Sequence, residues 1–354
     1  MLQRKKTRSI TVRNIPVGGT APIVIQSMSN VKTTDTEAVL AQIEALTNAG
    51  CSIVRLAVPD DSAVEAFRNI RKQTETPLVA DIHFDYRLAI GAIEAGADKI
   101  RINPGNIGSE DRVNAVIDAA RSAGIPIRIG VNSGSLEKQL LRKHGGPTPQ
   151  ALLESALNYI SMFEKNNFTD VIVSIKASNV PTTIEACRLL AEYSDVPQHI
   201  GITESGTVRS GTIRSAVGIG TLLAEGIGDT LRVSLAGDPV NEIFVAKEIL
   251  KSLGLMNGPT VIACPTCGRT EINVARLAAE VEELVADISD RIIIAVMGCV
   301  VNGPGEAKEA DIGIAGGKHE GLIIVKGTPL RKVPEDRLLS ELRKEIDILL
   351  AERR

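Results

Sequence analysis

Short runs of hydrophobic, mostly β-branched residues alternate with helix-length stretches along the first two thirds of the chain. The runs predict eight strands, at 23–26, 52–56, 78–82, 99–102, 127–131, 170–175, 199–203 and 230–233. The stretches predict eight helices, near 35–49, 60–72, 86–95, 110–123, 148–165, 181–193, 211–225 and 240–253. Eight strand–helix units over roughly 250 residues are the pattern of a (β/α)8 barrel, or TIM barrel. A doubly wound open sheet is the alternative, but it usually has fewer strands, and no G-x-G-x-x-G follows the first strand.

Two segments fall outside this repeat. At the N-terminus, residues 9–12 and 23–28 predict the strands of a hairpin that turns at 16–19. After residue 255 the pattern changes, and it predicts a helix at 271–286, strands at 291–296, 311–315 and 322–325, and a charged helix at 334–352. The alternating acids and bases of that last helix are typical of a solvent-facing element. We therefore predict a TIM barrel over residues 1–256 and a small α+β domain over residues 257–354.

Composition excludes several classes of protein. Aromatic residues make up 2% of the chain and Trp is absent, so few side chains could stack on the bases of a single-stranded nucleic acid. The net charge of −3 creates no global basic field for a polyanion. No apolar run reaches transmembrane length, and no apolar stretch follows the basic N-terminus as it would in a secretory signal. The five cysteines do not form the framework of a secreted protein, so we expect a cytoplasmic one.

Polar and charged residues follow the ends of most predicted strands, where barrels carry their active sites. The set comprises Arg55, Asp81, His83, Arg101, Asn103, Arg128, Asn132, Lys176, Glu204, Arg232 and Ser234. Strand residues two apart share a face, which pairs Asp81 with His83. The five cations would desolvate badly without an anion, and guanidinium groups suit phosphate oxygens. The set predicts a small, highly phosphorylated substrate, although we expect two of the five cations to be structural, either paired with acids such as Asp81 or Glu204 or extended outward to solvent.

Three of the five cysteines lie close together near the C-terminus. Cys264 and Cys267 form a C-x-x-C pair, and Cys299 follows a short β-type run and enters a Gly/Pro turn. A structural zinc site normally has four protein ligands, and here His319 and Glu306 are candidates for the fourth. An iron–sulfur cluster can also take one ligand that is not cysteine. The spacing leaves a cluster and a zinc site equally open, ahead of a dithiol–disulfide pair.

Taken together, these stretches resemble the 4-hydroxy-3-methylbut-2-enyl diphosphate synthase family, the iron–sulfur enzymes of the non-mevalonate isoprenoid pathway. The resemblance covers essentially the whole chain, in the shorter, two-domain form found in bacteria. It is carried by residues 53–55, 80–85, 99–106, 128–135, 201–204, 228–234, 264–269 and 299–306. The last two stretches are specific in combination.

The resemblance implies a [4Fe-4S] cluster on Cys264, Cys267 and Cys299, with Glu306 as an exchangeable fourth ligand. It implies that 2-C-methyl-D-erythritol 2,4-cyclodiphosphate binds the arginines, Lys176 and the Asp81–His83 pair. Two electrons from ferredoxin or flavodoxin would open its ring and remove a hydroxyl, for which Glu204 is our candidate acid. The resemblance also implies a head-to-tail homodimer in which one subunit's cluster caps the other's barrel.

Two other interpretations remain open at this point. The first is a zinc-stabilised barrel lyase or aldolase acting on a sugar phosphate, in which Lys176 forms a Schiff base. It predicts colourless protein and trapping of Lys176 by borohydride. The second is a non-catalytic protein that binds a phosphorylated metabolite, which leaves the three thiols unexplained.

Overall fold

Eight parallel strands form the centre of the first unit of the chain, Met1–Leu255, in a computed structural model that describes residues 3–299 and 307–353. The strands are β3 (Val24–Met28), β4 (Ile53–Ala57), β5 (Leu78–Asp81), β6 (Lys99–Ile102), β7 (Ile127–Asn132), β8 (Val171–Lys176), β9 (His199–Ile200) and β10 (Thr230–Leu231). The order is β8-β7-β6-β5-β4-β3-β10-β9. A parallel bridge between Val173 of β8 and Gln198, next to β9, joins the two ends of this sheet. The predicted TIM barrel is confirmed.

Helices follow the strands as the pattern predicts. They are α1 (Thr36–Ala49), α2 (Asp61–Arg71), α3 (Tyr86–Glu94), α4 (Pro104–Ile107), α5 (Glu110–Ala123), α6 (Lys138–His144), α7 (Pro149–Lys165), α8 (Val180–Tyr193), α9 (Val208–Ala224) and α10 (Val240–Ser252). Side-chain caps begin several of them: Asp60 accepts a hydrogen bond from the Ala63 amide at the start of α2. Helix α2 then buries Phe67 and Ile70, and each such side chain contributes about 1.5–3 kcal/mol. Short helices α4 and α6 were not predicted.

The last two barrel strands are shorter than predicted. Strands β9 and β10 contain two residues each, whereas the pattern extends them to 203 and 233. Loop contacts replace the strand pairing beyond that point. The Ser205 hydroxyl donates to the Ser234 carbonyl, and the Ala236 amide donates to the Gly206 carbonyl at 2.9 Å.

The N-terminal hairpin forms, but its second strand was predicted wrongly. Strand β1 (Ile10–Val12) pairs antiparallel with β2 (Ile15–Val17), whereas the segment expected to complete the hairpin is β3 of the barrel. The turn lies at 13–14, because Arg13 adopts a positive φ of 56° and Pro16 is tolerated in an edge strand that needs no N–H there. Side chains of β1 and β2 join one buried cluster with the first residues of β3, β4, β5 and β8. The hairpin therefore covers the N-terminal end of the barrel.

The second unit, Met256–Arg354, is a five-stranded mixed sheet with helices on one face. Its elements are β11 (Pro259–Ala263), α11 (Val274–Leu284), β12 (Ile292–Met297), β13 (Ile312–Gly317), β14 (Glu320–Val325), β15 (Thr328–Pro334) and α12 (Leu338–Glu352). Strands β11, β12 and β13 are parallel, and β13, β14 and β15 are antiparallel. The α+β prediction is confirmed, but it lacked β11 and β15. Both are edge strands with prolines, which sequence patterns mark as breaks.

Helix α12 is not the solvent-facing element that its charges indicate. Leu338, Leu342, Ile346 and Leu349 are buried in the core shared by α11 and the sheet. Their spacing of three and four residues places them on one face, which the charges between them obscure. Across all helices in the described part of the chain, none is long and apolar enough to cross a membrane.

Candidate active site at the barrel mouth and candidate metal-binding cysteines

A buried carboxylate, Asp81 at the end of β5, lies at the centre of the barrel mouth. Its Oδ1 accepts a hydrogen bond from Nη1 of Arg101 at 3.2 Å, and its Oδ2 lies 3.2 Å from Nε2 of His83. Nε of Arg55 is 3.8 Å from the same Oδ2. Burial alone would raise the pKa of Asp81, but Arg55, His83 and Arg101 hold it well below the usual range. Asp81 is therefore an anion that holds two arginines and a histidine.

The Met28 sulfur lies between two of the mouth's arginines. Nε and Nη2 of Arg55 are 3.0 and 2.8 Å from Met28 Sδ, and Nη1 of Arg232 is 3.6 Å from it. Burial lowers the pKa of Arg55 to about 10, against the opposing effect of Asp81. Arg232 pairs with Glu242, an acid on α10 that the sequence analysis did not single out.

Two cations of the mouth form no ion pair with an acid in the described part of the chain. Arg128 on β7 is 1% exposed, and its Nε and Nη2 have no hydrogen-bond partner in the part of the chain that the structure describes. Lys176, at the end of β8, is 8% exposed and forms no ion pair with any described residue. Burial, together with the neighbouring arginines, lowers the pKa of both groups. Buried cations are costly unless an anion pairs with them.

The division between paired and unpaired cations differs from the expectation. Three of the five, rather than two, have acid partners: Arg55 and Arg101 share Asp81, and Arg232 takes Glu242. Glu204, named as a possible partner, forms no ion pair with a described residue.

Glycines give two of these cations their space. A Cβ on Gly130 of β7 would lie 2.7 Å from Nε and Nη2 of Arg101. A Cβ on Gly201 would lie 2.8 Å from Nζ of Lys176 and 2.4 Å from a backbone oxygen. These distances are shorter than the normal contact distance of a Cβ atom, so a side chain at either position would force its neighbours to move. The absent side chains therefore let the long cations lie inside the barrel.

Further polar groups fill the barrel interior without having been predicted as site residues. Nζ of Lys99, which is fully buried, donates to Oε1 of Gln26 at 3.0 Å. Nδ1 of His199 lies 2.7 Å from Oγ1 of Thr230, and burial lowers the pKa of both Lys99 and His199. No ion pair links either side chain to a described acid. Lys99 opens a predicted strand of hydrophobic residues, and a lysine at such a position was the sequence signal that could have revealed these interior polar groups.

Three neutral residues were predicted at the mouth: Asn103, Asn132 and Ser234. Asn103 caps α4 through the Gly105 amide at 3.2 Å, and its Nδ2 donates to Ser135 Oγ at 2.6 Å. Asn132 ends β7 and is half-buried, with no side-chain hydrogen bond to a described residue. Ser234 is half-buried and follows β10.

Glu204 is an exposed residue with an unusual backbone. It lies beyond β9, and its φ of 52° is in the left-handed region that few side chains adopt. Oε2 accepts a hydrogen bond from the Ser178 hydroxyl at 2.6 Å. Backbone conformations of this kind cost about 1–3 kcal/mol and concentrate at functional sites. His144, which had no assigned role, lies 2.7 Å from Glu154 Oε2 and joins α6 to α7.

In the second unit, Cys264 and Cys299 follow the ends of adjacent parallel strands. Ala263 of β11 is level with Val296 of β12, so both chains leave the sheet at the same edge. The Gly298 amide donates to Cys264 Sγ at 3.1 Å. Cys267 is exposed, and its pKa is lowered chiefly by a hydrogen bond from the Arg269 backbone. Glu306 lies outside the described residues.

The donor set suits a thiophilic metal centre. Cysteine thiolates bind iron–sulfur clusters and zinc, and Cys264, Cys267 and Cys299 follow the ends of β11 and β12. No three His, Cys, Asp or Glu side chains among residues 3–299 and 307–353 lie close enough to hold a single ion. Cys51 and Cys187 are different: burial raises the pKa of their thiols to about 11 and about 12, so they are inert side chains.

Fold and site together define a class: a TIM-barrel protein with a cationic mouth, followed by an α+β domain that carries a C-x-x-C pair and a third cysteine. Residues 7–247 match the family model described as the GcpE TIM-barrel domain, and residues 260–348 match the GcpE protein C-terminal domain. The chain belongs to the GcpE family, which confirms the resemblance seen in the sequence.

Curated relatives match over the full length. A protein of Caldanaerobacter subterraneus subsp. tengcongensis is 57% identical over 350 residues, covering 99% of each chain. One of Maridesulfovibrio salexigens is 56% identical over 356 residues, covering 100% of this chain and 99% of its own. Both are named 4-hydroxy-3-methylbut-2-en-1-yl diphosphate synthase (flavodoxin).

Two solved structures are similar to about 70% of this chain. Dihydropteroate synthase from Stenotrophomonas maltophilia aligns with a TM-score of 0.50 at 14% identity, over 70% of this chain and 98% of its own. A truncated 3-deoxy-D-arabino-heptulosonate 7-phosphate synthase from Thermotoga maritima gives the same TM-score and identity, over 70% and 91%. At this identity the likeness shows the fold and nothing about the reaction.

Proposed function

We propose that the chain converts 2-C-methyl-D-erythritol 2,4-cyclodiphosphate into 4-hydroxy-3-methylbut-2-enyl diphosphate, using electrons from flavodoxin. The balance requires two electrons and two protons; one ring C–O bond breaks, and a hydroxyl leaves as water. Family membership over both units and the names of full-length relatives support this function. The observation that carries the substrate class is Arg128, a buried guanidinium with two unpartnered nitrogens.

The unpaired cations are the proposed site for the diphosphate. Arg128 and Lys176 have no acid of their own, so an anionic substrate would supply the missing charge. Asp81 and Glu242 already hold the other arginines, which limits their freedom to move. The substrate would thus meet a set of donors whose orientation is largely fixed before binding.

Around these cations, neutral and acidic side chains complete the proposed site. His83 is held by Asp81, and Asn103, Asn132 and Ser234 offer amide and hydroxyl groups for the rest of the substrate. We assign Glu204 the role of acid for the departing hydroxyl, because its strained backbone holds a carboxyl on the loop after β9. Glu204→Gln should lower kcat by about 10²–10⁴-fold while KM stays nearly constant. The matched variant Glu225→Gln changes an acid paired with Arg188 and should have no effect; near-wild-type turnover of Glu204→Gln would exclude the role.

We assign a [4Fe-4S] cluster to Cys264, Cys267 and Cys299, with Glu306 as the fourth ligand. Such a cluster supplies single electrons, which a two-electron reduction needs in sequence. Protein purified without oxygen should contain roughly four irons and four sulfides per chain and absorb broadly near 400 nm. Cys299→Ser should lose this content, whereas Cys51→Ser, which removes a buried barrel thiol, should retain it. Colourless protein with one zinc and no sulfide would contradict the assignment and favour a lyase that uses Lys176.

The active species is proposed to be a homodimer. The family resemblance, with the cluster of one subunit serving the barrel of the other, is the basis for this proposal. Sedimentation of the active protein should show a dimer, and mixing a Cys299→Ser chain with an Arg128→Met chain should restore part of the activity. A fully active monomer would exclude the dimer.

A further inference from the structure

Glu242 is a buried acid at the start of α10, and each of its two carboxylate oxygens accepts two hydrogen bonds. It is 2% exposed. Oε2 accepts from the Ser27 hydroxyl at 2.8 Å and from Arg232 Nε at 3.1 Å. Oε1 accepts from Arg232 Nη2 and from the Leu235 amide, each at 3.1 Å. A buried carboxylate with four donors has little freedom to move.

These bonds join three neighbouring parts of the barrel. Ser27 lies on β3, which pairs in parallel with β10, and Arg232 follows β10 directly. Leu235 belongs to the loop that leads into α10. Glu242 therefore fixes the loop after β10 against a neighbouring strand. The helix N-terminus also favours a negative charge at this position.

The geometry determines which part of Arg232 can reach a ligand. Two of its nitrogens, Nε and Nη2, are held side-on by Glu242. Its remaining nitrogen, Nη1, points to Met28 Sδ at 3.6 Å, the same sulfur that contacts Arg55. One edge of the guanidinium is occupied by the acid, and the other faces the arginines of the mouth.

We propose that Glu242 is a positioning residue that directs Arg232 at the diphosphate of the substrate. It does not touch the substrate itself; it acts by holding one edge of the guanidinium. The inference rests on the proposed function for the identity of the diphosphate. Without Glu242, Arg232 would rotate among several conformers, and each binding event would have to order it again.

A double-mutant cycle tests this role. Glu242→Gln keeps the shape of the side chain but can accept only one of the two guanidinium bonds. We expect KM for the cyclodiphosphate to rise about tenfold and kcat to change less than about threefold. In an Arg232→Met background the same substitution should change KM less than about twofold, because its only route of action is gone. Glu248→Gln, the same change on the exposed side of α10, is the matched control and should leave KM unchanged.

A second readout separates this inference from the proposed function. The affinity for inorganic pyrophosphate, measured by calorimetry on the wild type, Glu242→Gln, Arg232→Met and the double variant, should show the same non-additive pattern. If the two substitutions are non-additive in pyrophosphate affinity but the protein does not turn over the cyclodiphosphate, the positioning role is supported and the proposed function is contradicted. Additive effects of Glu242→Gln and Arg232→Met in both assays would overturn the positioning role. If Glu242→Gln fails to fold, Ser27→Ala can replace it, because it removes one donor to the same carboxylate. Ser27→Ala should raise KM by a smaller factor, and this effect should be absent in the Arg232→Met background.

Discussion

Arg128 offers a direct test of the barrel mouth, because its contribution to binding and its contribution to stability should have opposite signs. It is 1% exposed and has two unpartnered guanidinium nitrogens. Desolvating such a cation costs several kcal/mol, and Asp81 offsets only part of this cost because no described acid forms an ion pair with Arg128. Replacing a buried ion pair with apolar side chains of similar size is often neutral or stabilises a protein by about 1–4 kcal/mol, and Arg128 lacks even the partner that an ion pair provides. We therefore expect Arg128→Met to be more stable than the wild type in the absence of ligand.

Arg128→Met should bind the substrate more weakly than the wild type, although it is expected to be more stable. Removing a charged partner of a buried phosphate costs about 2–5 kcal/mol, or roughly 30- to 5,000-fold in affinity. Thermal unfolding of oxygen-free protein measures both effects, since one kcal/mol shifts Tm by roughly 2–4 °C for a domain of this size. Added cyclodiphosphate at 100 times its Kd should stabilise the wild type by about 2.7 kcal/mol and the variant far less.

The control is Arg121→Met, which removes a surface arginine that pairs with Asp118 on α5. A change of that kind should stay within about 0.5 kcal/mol and leave KM unaltered. A destabilised Arg128→Met variant with wild-type KM would contradict both expectations. That outcome would mean that Arg128 supports the fold and does not bind the substrate.

Three further predictions concern the same mouth. Gly130→Ala should lower kcat/KM about tenfold by displacing Arg101, because the new Cβ would lie 2.7 Å from that guanidinium. No described atom lies within 4 Å of a Cβ at Gly134, so Gly134→Ala should leave kcat/KM unchanged; equal activity of the two variants would contradict the steric argument. Asp81→Asn should destabilise the barrel by about 3–5 kcal/mol, since it leaves buried arginines unpaired. Because folding depresses the pKa of Asp81, this deficit should be constant above about pH 4 and shrink as the pH falls further, which urea unfolding between about pH 3 and 7 would show. A deficit that grows on acidification would contradict the assignment of Asp81 as the native anion.

The barrel could be predicted because each strand is buried on both sides and therefore reads as a hydrophobic run. Strand β8, with all six residues buried, is an example. The second unit was harder to predict at its edges, where Pro259 and Pro334 look like breaks although an edge strand accommodates them. The core face of α12 was missed because charged neighbours surround its buried leucines.

The site was predictable where charge stands at a strand end and unpredictable where a partner comes from elsewhere. Arg101 lies next to the end of β6 and Lys176 lies at the end of β8, whereas Arg128 is the second residue of β7. Glu242 lies in the first turn of a helix, where acids are common for reasons unrelated to a site, so its contact with Arg232 required the fold. Gly130 was missed for a different reason: a glycine within a strand does not show in sequence which side chain will lie over it.

The electron balance of the reaction tests the proposed function most directly. Protein purified without oxygen would be mixed with reduced flavodoxin and 2-C-methyl-D-erythritol 2,4-cyclodiphosphate, with flavodoxin oxidation followed by absorbance and the product by mass spectrometry. The proposed function predicts one 4-hydroxy-3-methylbut-2-enyl diphosphate for every two electrons taken from flavodoxin, and much less product with Arg128→Met at the same substrate concentration. Flavodoxin that stays reduced, in the presence of protein with its full iron and sulfide content, would contradict it.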